Sequence, residues 1–297
     1  MDVVVTGSSG LVGSALVPAL WEAGHSVRRL VRRPPSGSDE VRWDPEAGTI
    51  DADGLVGIDA AVHLAGEGIA EKRWTPEQKR RLVESRTKGT RLLAETMAGL
   101  DPKPSVLLSG SAVGFYGDGG ESELTEASPA GTGFLPDLVQ QWEAAAQPAV
   151  DAGIRTAYLR TGVVLSAKGG AMAKTLPLFK LGLGGPIGDG KQWWPWISID
   201  DEVGAIIHLL TAEVSGPVNL TAPYPARFKD YARAQGKALH RPAFLPVPRL
   251  GPKLLLGSEL ADALLGDSQQ ILPTVLQASG YEFRQPDIDD AMQALLG

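Results

Sequence analysis

A serine and a tyrosine in the middle of the chain have the types and spacing for proton chemistry. Ser111 follows an apolar run at 105–108, and Tyr116 comes five residues later. A serine hydroxyl donates a hydrogen bond to a substrate carbonyl, and a nearby tyrosine can share that task as an acid. We therefore predict that Ser111 and Tyr116 are catalytic. The alternative is ordinary turn chemistry, because the serines and glycine at 109–111 are common turn residues.

A glycine-rich run near the N-terminus has the spacing of a pyrophosphate-binding turn. Residues 6–13 read T-G-x-x-G-x-x-G, after an apolar run at 3–5 and before a helical pattern at 14–23. A strand, a glycine turn and a helix in this order let the backbone approach the phosphates and point free N–H groups at them. The alternative is a strand–helix turn without a ligand. The predicted cofactor contacts in this run are Thr6, Gly7, Gly10, Leu11, Val12 and Gly13.

Two arginines follow the second predicted strand, at 27–31. Arg32 and Arg33 occupy the place, about 20 residues past the glycines, where an acid usually holds the ribose 2′-hydroxyl. The first acid after them is Asp39. A guanidinium pairs bidentately with a 2′-phosphate, which an acid would repel. We therefore predict NADP(H) rather than NAD(H), with Arg32 ranked first because it is nearer the strand. The alternative is a pair of solvated arginines.

Two further groups are predicted to contact the cofactor. Leu64 and Ala65 lie in an apolar run at 59–66, and small residues there would let the backbone lie along a ribose. Tight packing is the alternative for this segment. Arg86 lies on a helix predicted over 76–98 and can reach the same region. The alternative for Arg86 is a solvated helix face.

The elements that position these residues alternate between strand and helix through the first 165 residues. This order predicts an α/β fold with a doubly wound parallel sheet of the Rossmann type. It includes a strand at 105–108, which opens into the serines and glycine at 109–111, and a single helical stretch over 135–151. We predict an NADP-binding domain at 1–165 and a smaller, mostly helical substrate region at 166–297. The chain is expected to return to the first domain at about 197–222, beginning with a core strand at 197–201.

The bulk composition excludes several classes of protein. The chain has 297 residues, a net charge of −7, no cysteine and four scattered histidines. A nucleic-acid surface would need a basic stripe. The chain has no cysteine for a thiolate metal site, and its histidines form no i, i+4 pair for a histidine site. No apolar run is long enough to span a membrane. We therefore expect a cytoplasmic protein, monomer or homodimer, that binds a small-molecule substrate and neither metal, nucleic acid nor membrane.

Three tryptophans fall in the loop-rich stretch beyond residue 166. Trp193, Trp194 and Trp196 stand among glycines and prolines, shortly before the predicted strand at 197–201. This context favours a loop over the cleft, with core packing as the alternative, since aromatic clusters are common in cores.

Taken together, these motifs resemble the extended short-chain dehydrogenase/reductase family. The glycine turn, the segment at 64–66, Ser111 with Tyr116 and the segment at 196–201 carry the resemblance. The closer match is to its atypical NAD-dependent epimerase/dehydratase-like branch, over essentially the whole chain, with a C-terminal helical module from about residue 246. Members of that branch mostly have no assigned substrate, and some carry a cell-division-inhibitor label. The resemblance implies that the turn lines the pyrophosphate, Arg32 the 2′-phosphate, Leu64 and Ala65 the ribose, and Arg86 a further part of the cofactor.

One departure from that family bears directly on function. The family's Tyr-x-x-x-Lys pair is absent from the chain, and Leu138 and Trp142 stand at the corresponding positions. Neither residue can transfer a proton. Glu143 offers a carboxylate next to them, although it can equally be a surface residue. Two hypotheses follow: an NADP(H)-binding oxidoreductase-like or epimerase-like enzyme with a modified site, or a non-catalytic NADP(H)-binding sensor or regulatory protein.

Overall fold

The computed structural model describes residues 1–248, 250, 253 and 257–297. Within these residues the chain forms the following strands and helices. The strands are β1 Asp2–Thr6, β2 Ser26–Val31, β3 Glu40–Asp44, β4 Thr49–Ile50, β5 Ala60–His63, β6 Val106–Ala112, β7 Glu123–Leu124, β8 Arg155–Thr161, β9 Val163–Leu165, β10 Trp193–Trp194, β11 Trp196–Ser198, β12 Gly216–Leu220, β13 Ala226–Arg227 and β14 Gln270–Ile271. The helices are α1 Leu11–Glu22, α2 Pro76–Gly99, α3 Phe134–Ala144, α4 Gln147–Asp151, α5 Gly170–Lys180, α6 Ile199–Thr211, α7 Phe228–Ala238, α8 Ser258–Ala261, α9 Thr274–Ala278 and α10 Ile288–Leu296.

The central sheet of the described chain has eight strands in the order β12-β8-β6-β5-β1-β2-β3-β4. All of its pairs are parallel except the β3–β4 pair. The chain leaves β1 in one direction for β2 and β3, and later builds β5, β6, β8 and β12 on the other side. The strand order therefore reverses between β1 and β5, and ligands of open α/β sheets bind at the carboxyl ends of the strands at such a point. The predicted doubly wound parallel sheet is confirmed.

Both faces of this sheet are covered because its strands are apolar on both sides. In β1, Val3 and Val5 pack with α1 and α6 in one buried cluster, whereas Val4 packs with α2 and α4 in another. Successive residues of a strand point to opposite faces, so a continuous valine run supplies both layers. The sheet is thus a rigid interior platform, with its carboxyl edge left for loops.

The predicted helix over 135–151 is wrong as a single element. The structure has α3 and α4, separated by residues 145 and 146. Pro148 lies in the first turn of α4, where its missing N–H has no intrahelical partner to lose. In the interior of one long helix the same proline would have removed a hydrogen bond and clashed with the preceding turn.

The strand predicted at 105–108 is too short, because residues 109–111 continue β6, and the turn given as the alternative for them does not form. Ser109 pairs with Tyr158 and Ser111 with Arg160 in register with β8. β8 pairs with the whole segment and β5 pairs with it at Ser109, and this pairing outweighs the local turn preference of serine and glycine. Ser111 is therefore held on a buried strand and not on a flexible loop.

The predicted core strand at 197–201 differs from the structure as well. β11 pairs with β9 in a separate two-stranded sheet, and the chain rejoins the central sheet through β12. Ser198 then caps α6 by accepting a hydrogen bond from the Asp201 N–H at 3.1 Å. Serine, threonine, aspartate and asparagine favour this cap position, which ends the strand three residues before its predicted end.

The C-terminal segment is fastened to the start of α6 by one buried carboxylate. Asp201 accepts hydrogen bonds from the backbone N–H groups of Arg284, at 2.8 Å, and Gln285, at 2.9 Å. The Tyr281 hydroxyl donates to the same carboxylate at 3.0 Å. Asp201 is fully buried, so these bonds replace the water that an ionised carboxylate would otherwise need.

The expectation that the tryptophans form a loop over the cleft is wrong for two of the three. Trp194 and Trp196 are buried, and Trp194 packs against Phe228 and Tyr231 with ring centroids 5.1 and 4.4 Å apart. The hydrophobic effect places these large rings in a core between α5, α7 and α10. Among the helices of the described residues, none is both long and apolar enough to cross a membrane.

Candidate functional site

The turn between β1 and α1 is too tight for side chains at two of its glycines. Gly7 has a φ of +66°, and a Cβ on it would lie 2.8 Å from the backbone of Leu64. A Cβ on Gly13 would lie 2.2 Å from the Gly7 carbonyl oxygen. The Gly10 N–H closes the turn on that carbonyl at 2.9 Å. Glycine is required here because the turn needs a left-handed residue and because α1 packs directly on the turn.

The start of α1 is open for an anion. Gly10 is its cap residue, and among the described residues no side chain bonds to the first N–H groups and no acid lies in the first turn. The first N–H groups of a helix have no intrahelical partner, and the helix dipole adds a partial positive charge. Leu11 turns its side chain toward Gly169 and Gly170, in the segment that leads into α5. The cradle that the glycines leave and the free N–H groups of Leu11, Val12 and Gly13 together fit a pyrophosphate.

Thr6 ties the end of β1 to the end of β5. Its Oγ1 accepts hydrogen bonds from the N–H groups of Leu64, at 3.0 Å, and Ala65, at 3.1 Å. The hydroxyl proton is then left for Nδ1 of His63, at 2.8 Å. Burial lowers the pKa of His63 to about 4, which keeps its ring neutral. With the ring proton on Nε2, Nδ1 accepts a hydrogen bond from the Thr6 hydroxyl. Thr6 therefore serves the site by placing Leu64 and Ala65, and its hydroxyl has no donor left for a ligand.

The two arginines after β2 have different environments. Arg33 forms two hydrogen bonds with the Glu40 carboxylate, at 2.7 and 2.5 Å, and that carboxylate also accepts from the Ser36 N–H. Arg32 is exposed and forms no hydrogen bond or ion pair with any residue that the structure describes. Asp39 is paired with Arg29 at 2.6 Å. Of these two arginines, Arg32 is therefore the one without a partner among the described residues, and Arg33 holds the loop.

Arg86 is not on a solvated face. It is 9% exposed, and its guanidinium donates to the carbonyls of Leu82, at 3.1 Å, and Glu67, at 2.9 Å. Its Cζ lies 5.0 Å from the Trp142 ring. Burial lowers the pKa of Arg86 to about 10, so the group stays charged at neutral pH. It contacts the segment that follows Ala65, since a Cβ on Gly66 would touch its side chain.

Ser111 is bonded to a carboxylate rather than standing free. Its Oγ donates to Oε1 of Glu143 at 2.6 Å. Arg160 grips the same carboxylate with two nitrogens, Nε to Oε1 at 2.8 Å and NH2 to Oε2 at 3.0 Å. Glu143 is therefore not a surface residue, since α3 turns it back toward β6 and β8. Although burial opposes it, the hydrogen bond and charge of Glu143 raise the pKa of Arg160.

Tyr116 belongs to the same network but has no proton to offer a substrate. Its hydroxyl donates to Oδ1 of Asn219 at 2.6 Å and accepts from NH1 of Arg160 at 3.1 Å. The side chain is buried, and burial raises the pKa of Tyr116 against the opposing effect of Arg160. The predicted proton-donor role is thus corrected: Tyr116 is a positioning residue that holds Arg160.

The helix positions of the missing Tyr-x-x-x-Lys pair are filled by packing. Leu138 is buried, and a Cβ on Gly110 would lie 2.9 Å from the Trp142 ring. The Trp142 indole N–H donates to the Thr90 hydroxyl at 3.0 Å. Trp142 therefore covers β6 beside Ser111, and the charged groups near that serine are Glu143 and Arg160.

Sequence reasoning missed Arg160 and Asn219 altogether. A charged residue near the end of a buried strand, after Tyr158 and Leu159, was the available signal for Arg160. Asn219 carried a similar signal as a polar residue between Val218 and Leu220. Buried polar groups need partners, so such residues in apolar strands point to a network even when the partner is unknown.

A parallel sheet whose first strand–helix turn is shaped in this way defines the Rossmann class of dinucleotide-binding proteins. The model of the NAD dependent epimerase/dehydratase family matches residues 3–221, and the chain belongs to that family. A domain of unknown function, DUF1731, matches residues 247–295. The resemblance drawn from the motifs is confirmed.

Similar proteins are known from bacteria and from humans. An epimerase family protein of Mycobacterium bovis is 41% identical, over 98% of this chain and 96% of its own. The human epimerase family protein SDR39U1 is 39% identical over the full length of both chains. A crystal structure of the human protein with NADPH superposes with a TM-score of 0.92 at 37% identity, covering 100% of this chain and 99% of that one. The nucleotide in that structure agrees with the cofactor predicted from Arg32.

Proposed function

We propose that this protein is an NADP(H)-dependent oxidoreductase or epimerase of a small molecule whose reacting oxygen is held at Ser111. The observation that carries the proposal is the open start of α1 beneath a turn with no room for side chains at Gly7 and Gly13. The human relative of the same fold, which was crystallised with NADPH, supports the choice of cofactor.

The register of the sheet supports placing cofactor and substrate side by side. Thr6 pairs with His63 on β5, and His63 pairs with Ser109 on β6. The glycine turn after β1 and Ser111 near the end of β6 therefore lie at the same edge of the sheet, on either side of β5. Two strand spacings, or about 10 Å, separate β1 from β6. A ligand lying over β5 is therefore within reach of both the turn and the serine.

The residues present fit the pyrophosphate, the 2′-phosphate and a ribose of the cofactor. The N–H groups of Leu11, Val12 and Gly13 would hold the pyrophosphate, and Arg32 the 2′-phosphate. Leu64 and Ala65, held in place by Thr6, would lie against a ribose. Arg86 would add a buried positive charge next to that segment. When bound, the nicotinamide exchanges a hydride with a carbon of the substrate.

Binding and turnover are measured separately to test the proposal. We expect the protein to bind NADPH more tightly than NADH and to consume NADPH with a member of a panel of carbonyl compounds and nucleotide sugars, followed by loss of nicotinamide absorbance. The variant Ser111→Ala should keep NADPH binding and lose turnover. Failure of the wild-type protein to bind NADPH would contradict the proposal.

A non-catalytic NADP(H) sensor is the second candidate. The observation that favours it is the replacement of the family's acid–base pair by Leu138 and Trp142, both of which serve packing. Tight NADPH binding with no turnover across the whole panel would support the sensor. The expected cytoplasmic location, the monomeric or homodimeric state and the domain boundary at residue 165 stay predictions.

A further inference from the structure

We propose that Glu143 exchanges the proton of the reaction through the Ser111 hydroxyl, with Arg160 as a positioning residue that holds the carboxylate. The inference rests on the proposed function and names the acid–base group that the family's missing pair leaves open. It follows from the direction of one hydrogen bond.

Ser111 has a single hydroxyl proton, and that proton is directed to Glu143. The Oγ–Oε1 distance of 2.6 Å is typical of a hydroxyl that donates to a carboxylate. Arg160 donates two hydrogen bonds to the Glu143 carboxylate, and a carboxylate can only accept hydrogen bonds. Toward a substrate, Ser111 therefore presents oxygen lone pairs. In this state the serine accepts a proton from an alcohol and does not donate one to a carbonyl.

The proton step for oxidation of a secondary alcohol follows from this arrangement. The O–H bond of the substrate breaks as its proton passes to Ser111 Oγ, and the proton already on Ser111 passes to Glu143 Oε1. The carbon-bound hydrogen leaves with its electron pair, as hydride, to the oxidised nicotinamide nucleotide of the proposed function. The products are a ketone, the reduced nucleotide, an unchanged serine and a neutral carboxylic acid at Glu143. The same steps reversed reduce a ketone once Glu143 has taken up a proton.

Arg160 is built to hold the carboxylate in place through this cycle. It is 4% exposed, and its Cζ lies 3.5 Å from the centroid of the Phe115 ring. A third contact, from NH1 to the Tyr116 hydroxyl, continues to the buried side chain of Asn219. Both guanidinium edges are thus fixed, and arginine does not release its proton in proteins.

Glu143 is also the member of the network with access to solvent. Its side chain is 13% exposed, whereas Ser111, Tyr116 and Arg160 are 4% exposed or less. A proton delivered from Ser111 can therefore leave through Glu143 without opening the buried part of the network.

The test compares Glu143→Gln with a matched control, Glu121→Gln. Glu121 is also paired with an arginine, Arg227 at 2.8 Å, but lies outside the network. We expect Glu143→Gln to lower kcat by roughly a hundred-fold or more, the range for loss of general acid–base catalysis, and to leave the Kd for NADPH unchanged. Glu121→Gln should change neither. Arg160→Lys should give an intermediate kcat, because it keeps the charge and loses the two-point grip.

A second readout does not depend on turnover. In protein labelled with ¹³C at glutamate carboxyls, the Glu143 signal is assigned by its loss in Glu143→Gln. We expect the chemical shift of this carboxyl, measured at one fixed pH, to change in Ser111→Ala, because the substitution removes the hydrogen bond that Ser111 donates to it, and to stay the same in Glu121→Gln. An unchanged Glu143 signal in Ser111→Ala, or full turnover in Glu143→Gln, overturns this inference and leaves the proposed function standing. NADPH binding by the wild type without turnover of any panel member overturns the catalytic proposal and this inference together.

Discussion

The Thr6 hydroxyl and the His63 ring meet at 2.8 Å, between Oγ1 and Nδ1, and this bond joins the ends of two central strands. The threonine can hold the N–H groups of Leu64 and Ala65 because the histidine takes its proton. His63 must therefore be neutral for the edge of β5 to keep its shape. The site's geometry therefore depends on the protonation state of a fully buried residue.

Stability should fall on acidification because of His63. Its pKa is 6.5 in the unfolded chain and about 4 in the fold, so between these values the unfolded chain binds more protons. The contribution is complete above pH 6.5 and is lost as the pH falls through 4, by an amount on the order of 3 kcal/mol. Urea unfolding from pH 7 to pH 4 should show this loss, and His63→Gln should flatten it. A slope that is identical in the variant would contradict the assignment.

The contribution of Glu202 to stability should change with pH in the opposite direction, falling as the pH rises. Its carboxyl is buried at the start of α6, accepts from the Thr161 hydroxyl at 2.9 Å, and its other oxygen has no partner within the described part of the chain. Burial raises its pKa from 4.5 to about 8, so the fold retains a proton that the unfolded chain has lost.

This contribution is present below pH 4.5 and disappears as the pH rises through 8, by an amount on the order of 5 kcal/mol. The variant Glu202→Gln keeps the bond to Thr161 and should abolish the decline between pH 5 and pH 8. The slope of the free energy of unfolding against pH is the quantity to measure. The absolute stability of the variant also changes, because the amide carries an N–H without a partner. A decline that persists in the variant would show that another group causes it.

Substitution of Arg32 should change the cofactor preference, whereas substitution of Arg33 should change the stability of the loop after β2. We expect Arg32→Ala to weaken NADPH binding by roughly ten- to a hundred-fold, since charge-assisted hydrogen bonds are worth about 1.5–3 kcal/mol. NADH binding and the melting temperature should not change. Arg33→Ala should lower the melting temperature, because it releases Glu40 and the loop bound to it. Isothermal titration measures the affinity of each variant for NADPH and for NADH. An equal loss of affinity for NADH in Arg32→Ala would contradict the role of Arg32.

We expect the glycine turn to tolerate an alanine at Gly10 but not at Gly13. A Cβ at Gly13 would lie 2.2 Å from the Gly7 carbonyl oxygen, whereas a Cβ at Gly10 would lie 3.3 Å from the same atom. Gly13→Ala should therefore displace α1 from the turn and abolish NADPH binding. Gly10→Ala should weaken binding much less. Nucleotide titrations of the two folded variants provide the comparison, and equal affinities would mean that the turn adjusts freely.

The parts of the site that sequence could predict are local. Gly7, Gly13 and the helix after them lie within one strand–turn–helix unit, so their spacing alone indicates a phosphate site. The choice between Arg32 and Arg33 depends on Glu40, which lies on a strand that the sequence did not indicate. The Ser111 network joins residues 17 to 103 positions apart along the chain, and only the folded sheet brings them together. Local turn preference at 109–111 also failed, because pairing with β5 and β8 decides the conformation there.

The buried carboxylate of Asp201 has a consequence for modular exchange between relatives. The stretch assigned to the epimerase family ends at residue 221 and the DUF1731 stretch starts at 247, yet backbone groups at 284 and 285 are held by an aspartate from the first of them. A chimaera that borrows its tail from another member must therefore import a compatible first turn of α6. The two stretches match separate family models, but in the folded chain hydrogen bonds to Asp201 join them.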